Sequence, residues 1–147
     1  MSVNDTIVSE LKAASTVTDL VSTRIYADYA YAKAAMPYIV VSQIDSVRHP
    51  HMKAASGLVS SRIQVDCVSS TRATRDAVGD AVRLVLDTVT GSIGTDPNDQ
   101  TIQYSALAED RNFTQLPDTS NKRGGQRGTF TRSMDFMVWH AETVPTF

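Results

Sequence analysis

Apolar residues recur at helical spacing from the start of the chain: Val3, Ile7, Val8, Leu11 and Ala14 fall on one stripe, and Asn4 or Asp5 stands where an N-cap would. A second, shorter turn is predicted from Thr16, burying Val17, Leu20 and Val21. Arg24-Ile25-Tyr26 then leads into a linker rich in Ala and Tyr. The period changes after Pro37, where Tyr38, Ile39, Val40 and Val41 form an apolar run that yields to alternation up to about Val47, as in a strand. Arg48-His49-Pro50-His51-Met52-Lys53 is polar and holds a proline, which predicts a loop or hairpin tip.

The clearest alternation comes next. Val59, Ile63, Val65 and Cys67 point one way, and Ser60, Arg62, Gln64 and Asp66 the other, so one face of this strand is buried. A helix follows over about 71–89, with Ala73, Ala77, Val78, Ala81, Val82, Leu84 and Val85 on its apolar stripe. Arg72, Asp76, Asp80, Arg83 and Asp87 take the solvated side, where Arg72 with Asp76 and Arg83 with Asp87 are spaced to pair. Gly79, costly in mid-helix, predicts close packing at that point, and Gly91 and Gly94 end the element. A third strand is expected over 101–108 with Ile102, Tyr104 and Ala106 on one side. A long polar connection over about 112–128 is expected to be mobile. The last strand covers 129–140: Phe130, Met134, Phe136 and Val138 share a face interrupted by Arg132, and Ser133, Asp135, Met137 and Trp139 share the other.

These elements predict an α+β fold: a mostly antiparallel four-stranded sheet with two main helices packed on one face, in the order α-β-β-α-β-β. The opposite face would keep Met137 and Trp139, large apolar groups of the kind that meet a partner. One domain spans 1–147, with a short C-terminal tail from about 141.

Composition narrows the function more than the fold. With 147 residues, 41% of them hydrophobic, the chain is long enough for a core without staples. Its formal net charge of -2 argues against a dedicated nucleic-acid binder. Cys67 is the only cysteine, so no internal disulfide forms, which fits folding in a reducing compartment. The first ten residues carry acids and no apolar run, so no signal peptide is expected, and no stretch approaches the roughly 20 apolar residues of a membrane helix.

No constellation of catalytic residues stands out. His49 and His51 put two rings on one side of an extended segment, but no nearby cysteine or acid completes a metal site. His140 alternates with core residues and reads as structural; Cys67 reads as a small buried hydrophobe. Gly91-Ser92-Ile93-Gly94 follows a helix, whereas a phosphate loop needs a strand before it. The local basic cluster, Lys122-Arg123-Gly124-Gly125-Gln126-Arg127, has no interleaved aromatic to stack on bases and reads first as a solvated hairpin tip. Its functional reading is an arm touching a neighbouring subunit or passing DNA. We expect no enzyme, no cofactor and no metal.

Four segments in a fixed order give the chain a likeness. Asp19-Leu20-Val21 with Thr23-Arg24-Ile25-Tyr26, Pro37-Tyr38-Ile39-Val40-Val41, Arg62-Ile63-Gln64-Val65-Asp66-Cys67, and Arg132-Ser133-Met134-Asp135-Phe136-Met137-Val138-Trp139 together resemble the tail completion, or tail terminator, family of long-tailed bacteriophages. The resemblance covers about residues 5–140; the longer connection before the last strand departs from it. It implies a structural virion protein, made in the host cytoplasm, that forms a homo-oligomeric ring, usually six-fold, at the head-proximal end of the tail. Such a ring terminates the tail tube and enables head–tail joining. The implied partners are the tail tube protein and a head–tail connector protein, with DNA only as cargo through the lumen and no membrane. A ring needs two different patches on each subunit. Candidate contact residues are Arg48, His49, Lys53, Arg62, Gln64, Lys122, Arg123, Arg127, Met137 and Trp139. Alternative readings are a head-side connector or adaptor ring and, from another class, a small ligand-binding or enzymatic domain.

Overall fold

The computed structural model describes residues 3–30, 35–48, 58–87, 89–93, 102–115 and 129–141. Two helices come first, α1 (Val3–Ala13) and α2 (Ser15–Val21), followed by three strands, β1 (Ile25–Ala27), β2 (Tyr38–Arg48) and β3 (Leu58–Ser69). Helix α3 (Arg72–Leu86) then precedes β4 (Val89–Ile93), β5 (Ile102–Gln115) and β6 (Thr129–Ala141). All six strands form one sheet in the order β1-β2-β3-β6-β5-β4. Every pairing is antiparallel except β1 with β2, which is parallel.

The α+β class holds, but the sheet is mixed and has six strands rather than four, and three helices pack on it rather than two. The two unexpected strands are short and lie at the sheet edges. β1 takes in Ile25 and Tyr26 of the segment that leads into the expected linker: Ile25 pairs with Ile39, while Asp28 donates its N–H to the Val41 carbonyl at 2.8 Å. β4 contains Gly91, which looked like a helix terminator. α3 stops earlier, at Leu86, and the chain turns at once into a strand paired with β5.

α1 begins one residue before Asn4, so neither Asn4 nor Asp5 caps it. Asn4 is buried and donates to Asp28 Oδ1 at 3.1 Å, tying the helix to the turn after β1, where Asp28 has a positive φ of 67°. Thr71 caps α3 by accepting from the Thr74 N–H at 3.3 Å.

The core lies between the helices and one face of the sheet. Ile7, Leu11, Val17 and Val21 meet Ile39, Val41, Ile63, Val65 and Cys67, and α3 adds Val78, Val82 and Leu86 against Met134, Phe136 and Val138. The alternation assigned to β3 is the alternation observed. His140 is also structural: it is buried, with Nε2 2.8 Å from Ser61 Oγ. The apolar stripe of α3 is narrower than its sequence predicts, since Ala73, Ala77 and Leu84 face solvent, Leu84 at 81% exposure. Arg75 takes a buried place instead, with its guanidinium 5.7 Å from the centre of the Phe130 ring.

Gly79 packs as its position in mid-helix demanded. A Cβ there would stand 2.5 Å from Arg132 Cδ, so the helix approaches the sheet only because the residue has no side chain.

Candidate functional site

The helices cover only one face of the sheet. On the other, the registers set the side chains in rows across four strands. One row runs Val40, Asp66, Ser133, Arg111; the next Ser42, Gln64, Asp135, Glu109; the third Asp45, Arg62, Met137, Ala106. Residues directly opposite on neighbouring strands sit close enough to interact, so charges scattered through the sequence become one lattice.

Asp135 is its centre. It is 2% exposed and lies on the face away from the described helices. Its Oδ2 accepts from Arg62 Nε at 3.0 Å and Nη2 at 2.6 Å, and from Arg111 Nη2 at 3.2 Å. Arg62 also reaches Glu109 at 3.0 Å, and the hydrogen bond to Asp135 raises the affinity of its guanidinium for its proton. Asp135 Oδ1 is buried without a hydrogen-bond partner among the described residues. Gln64, in the same row as Asp135, donates to Asp66 at 2.9 Å and to Ser133 at 3.3 Å in the next row, where Ser133 donates to Asp66. The charges here are matched and mutually bound, the arrangement of a surface that holds shape rather than of an acid–base pair.

A second cluster sits on the covered face. Arg132 donates to Asp110 through Nη2 at 2.6 Å and to Asp80 of α3 through Nη1 at 3.0 Å. The Arg132 hydrogen bond holds the Asp110 carboxyl below its ordinary range, against the opposing effect of burial. The same pair raises the Arg132 pKa further. Burial pushes the Cys67 thiol well above its usual range, which leaves it inert. Among the described residues, no group of three or more His, Cys, Asp or Glu side chains is placed to hold a metal.

The structure brings Arg62, Gln64, Met137 and Trp139 together on the open face, with Arg62 opposite Met137 and Trp139 opposite Ser60. Met137 and Trp139 are half-buried there, beside the charged side chains of the neighbouring strands. Arg48 is not in a loop: it is the exposed last residue of β2. His49, Lys53, Lys122, Arg123 and Arg127 lie outside the described residues, as does most of the connection assigned to 112–128, whose first four residues belong to β5. Asp135, Glu109 and Arg111 were missed as a site. The available signal was the polar side of two alternating segments, Glu109 with Arg111 and Ser133 with Asp135, which register alone makes adjacent.

The segments that carried the family likeness also meet in space. Arg24 donates through Nε to the Pro37 carbonyl at 2.8 Å, and the Tyr26 and Tyr38 rings stack edge to face with centres 6.1 Å apart. The family profile described as "Tail completion protein gp17" matches residues 5–141. The chain belongs to that family. A tail completion protein is a structural component of a phage tail. Among solved structures, a chain of the "Virion of native gene transfer agent (GTA) particle" shares the fold with a TM-score of 0.61 at 14% identity, over 94% of this chain and 90% of that one. No curated protein matches the sequence.

Proposed function

We propose that this tail completion protein assembles into a ring, six-fold as the family resemblance implies, at the head-proximal end of the tail. There it terminates the tail tube and makes the tail competent to join the head. The observation that carries this reading is the family match over residues 5–141. The geometry supports it: among the described residues, a sheet with helices on one face only and two partly open edges offers distinct surfaces for neighbours and for axial partners. We assign the tail tube protein and a head–tail connector protein as axial partners, with DNA passing through the lumen as cargo. Arg48, Arg62, Gln64, Met137 and Trp139 form the described part of the proposed contact set, and His49, Lys53, Lys122, Arg123 and Arg127 complete it.

Electron microscopy of a lysate from the parent phage with this gene blocked tests the assignment. Full heads beside unattached tails, especially tails of abnormal length, are expected. Leaking or empty heads with normal tails would transfer the protein to a connector ring on the head side, and intact virions would overturn both structural roles.

A further inference from the structure

The sheet is incompletely paired at both edges, and the two gaps are complementary. At one edge β1 pairs only with residues 39–41 of β2, so residues 42–48 have a strand on one side alone among the described residues. At the other, β4 pairs with β5 no further than Ser105, and the Leu107 N–H is taken by Asp87 Oδ1 at 3.0 Å, so among the described residues the stretch 108–115 has a strand on one side alone. Both stretches are almost wholly solvent-facing, and each carries large exposed apolar groups: Ile44 at 52% and Val47 at 51% on β2, Phe113 at 52% on β5. Leu84, also exposed, stands one turn before Asp87, beside the β5 edge.

Free edges are usually blunted by charges that point at an incoming strand. Here the charges of β5 are held within the chain: Asp110 by Arg132, Glu109 by Arg62, and Arg111 by Asp135. They guard the faces and leave the backbone edge open. Three successive antiparallel pairings make β2 antiparallel to β5. A rotated copy therefore presents its β2 to this β5 in antiparallel sense, the orientation in which two strands form a regular ladder.

We propose that residues 42–47 of β2 in one subunit pair with residues 109–114 of β5 in the next, with Asp45 opposite Arg111. That register puts opposite charges face to face and keeps both side chains on the open face, where the rows already place them. It sets Val47 opposite Glu109. The two stretches lie toward opposite ends of the sheet: Asp45 shares the row of Arg62, while Arg111 shares the row of Asp66 four residues along β3. Each contact is thus staggered along the strands, which is what tilts strands when a sheet closes on itself. The contact is heterologous, so it propagates around a ring and cannot close as a two-fold dimer. This inference rests on the ring reading above and names the surface that would close it.

Two variants, Ile44→Lys and Phe113→Lys, each disable one edge. Light scattering after size-exclusion chromatography is expected to show rings for the unaltered protein, monomers for each variant alone, and a 1:1 dimer for their mixture, joined through the one intact pair of edges. The dimer also shows that both variants fold. The variant Val47→Cys/Glu109→Cys checks the register: oxidation should give a ladder of disulfide-linked species that neither single variant gives, with wholly buried Cys67 silent. Within one chain these positions are separated by β3 and β6, roughly 14 Å at the usual strand spacing, so they do not link internally. Rings from either Lys variant would overturn the edge pairing and leave the ring reading intact. Dimers from a single-cysteine variant would show an isologous contact and overturn it too. An unaltered protein that stays monomeric at every concentration would overturn the ring itself as a self-assembling state, and this pairing with it.

Discussion

On its covered face the sheet carries one tight ion cluster, Arg132 with Asp110 and Asp80; on its open face it carries a wider one, Arg62 and Arg111 with Asp135 and Glu109. Both include a residue of β6, and Arg132 and Asp135 are only three positions apart in sequence. The difference is water. The Arg132 side chain is 10% exposed, pinned under α3, so its charge depends on the carboxylates within reach. Arg62 and Arg111 reach solvent, which competes for them and screens their partners. Similar ionic chemistry therefore fastens a helix to a sheet on one side, and on the other keeps a polar surface matched in charge and fixed in shape.

Substitutions that remove one partner should separate the two faces. The largest expected effect is Arg132→Leu, which leaves Asp110 and Asp80 facing each other and detaches α3 from the β5–β6 hairpin. We expect a loss of about 2–3 kcal/mol in urea unfolding, under the roughly 3–5 kcal/mol of a fully buried broken pair because both aspartates keep some solvent. A loss no larger than that of an exposed pair would erase the distinction between the faces.

Gly79→Ala sharpens it. In an ordinary helix the change gains up to about 1 kcal/mol, but here the new methyl meets Arg132 at its pinned Cδ and Nε. It should destabilise the protein by about 1 kcal/mol or more, as overpacking does. In the Arg132→Leu background the same change should cost less or turn stabilising, so the two effects would not add.

A smaller effect is expected in acid. Asp110 has its carboxyl pKa lowered from the ordinary 3.8 in the folded state, chiefly by the Arg132 hydrogen bond. A depressed folded pKa contributes stability that is fully present above the unfolded value and is lost as pH falls through the folded one. Thermal unfolding of Asp110→Asn should thus start from a lower plateau near neutrality and fall less steeply below about pH 4 than that of the unaltered protein. Parallel curves would show that this pair does not discriminate between protonation states.

The smallest effect belongs to the open face. Glu109 is half-exposed and bonded to an arginine that keeps Asp135, so Glu109→Gln should shift stability by no more than about 0.5 kcal/mol. A loss comparable to that of Arg132→Leu would show the open lattice to be structural in the same sense as the covered one.

Local pattern alone was enough for several features. The alternation of β3 put Ile63, Val65 and Cys67 in the core and Arg62 and Gln64 on the far face. A glycine at position 79 announced a close approach, and the run from Pro37 announced β2. Each follows from periodicity or from one residue's steric limits, which are properties of a few neighbouring positions. The order of four dispersed segments likewise pointed to the family that the profile over residues 5–141 then showed.

Tertiary structure decided the rest. β1 has three residues and β4 contains a glycine, so neither shows a strand pattern by itself; each is a strand because a longer neighbour supplies its hydrogen bonds. Residues 112–115 opened the expected polar connection, yet they and the charged residues 109–111 before them are strand, because β6 pairs with them and Arg132, Arg62 and Asp135 take up the charges. Leu84 followed the helical period yet faces solvent, since α3 turns Val78, Val82 and Leu86 to the core and Leu84 lies off that line. Periodicity reports which side of an element avoids water. Which element lies beside it, and which edge is left unpaired, depends on contacts between residues far apart in the chain, and those leave no local trace.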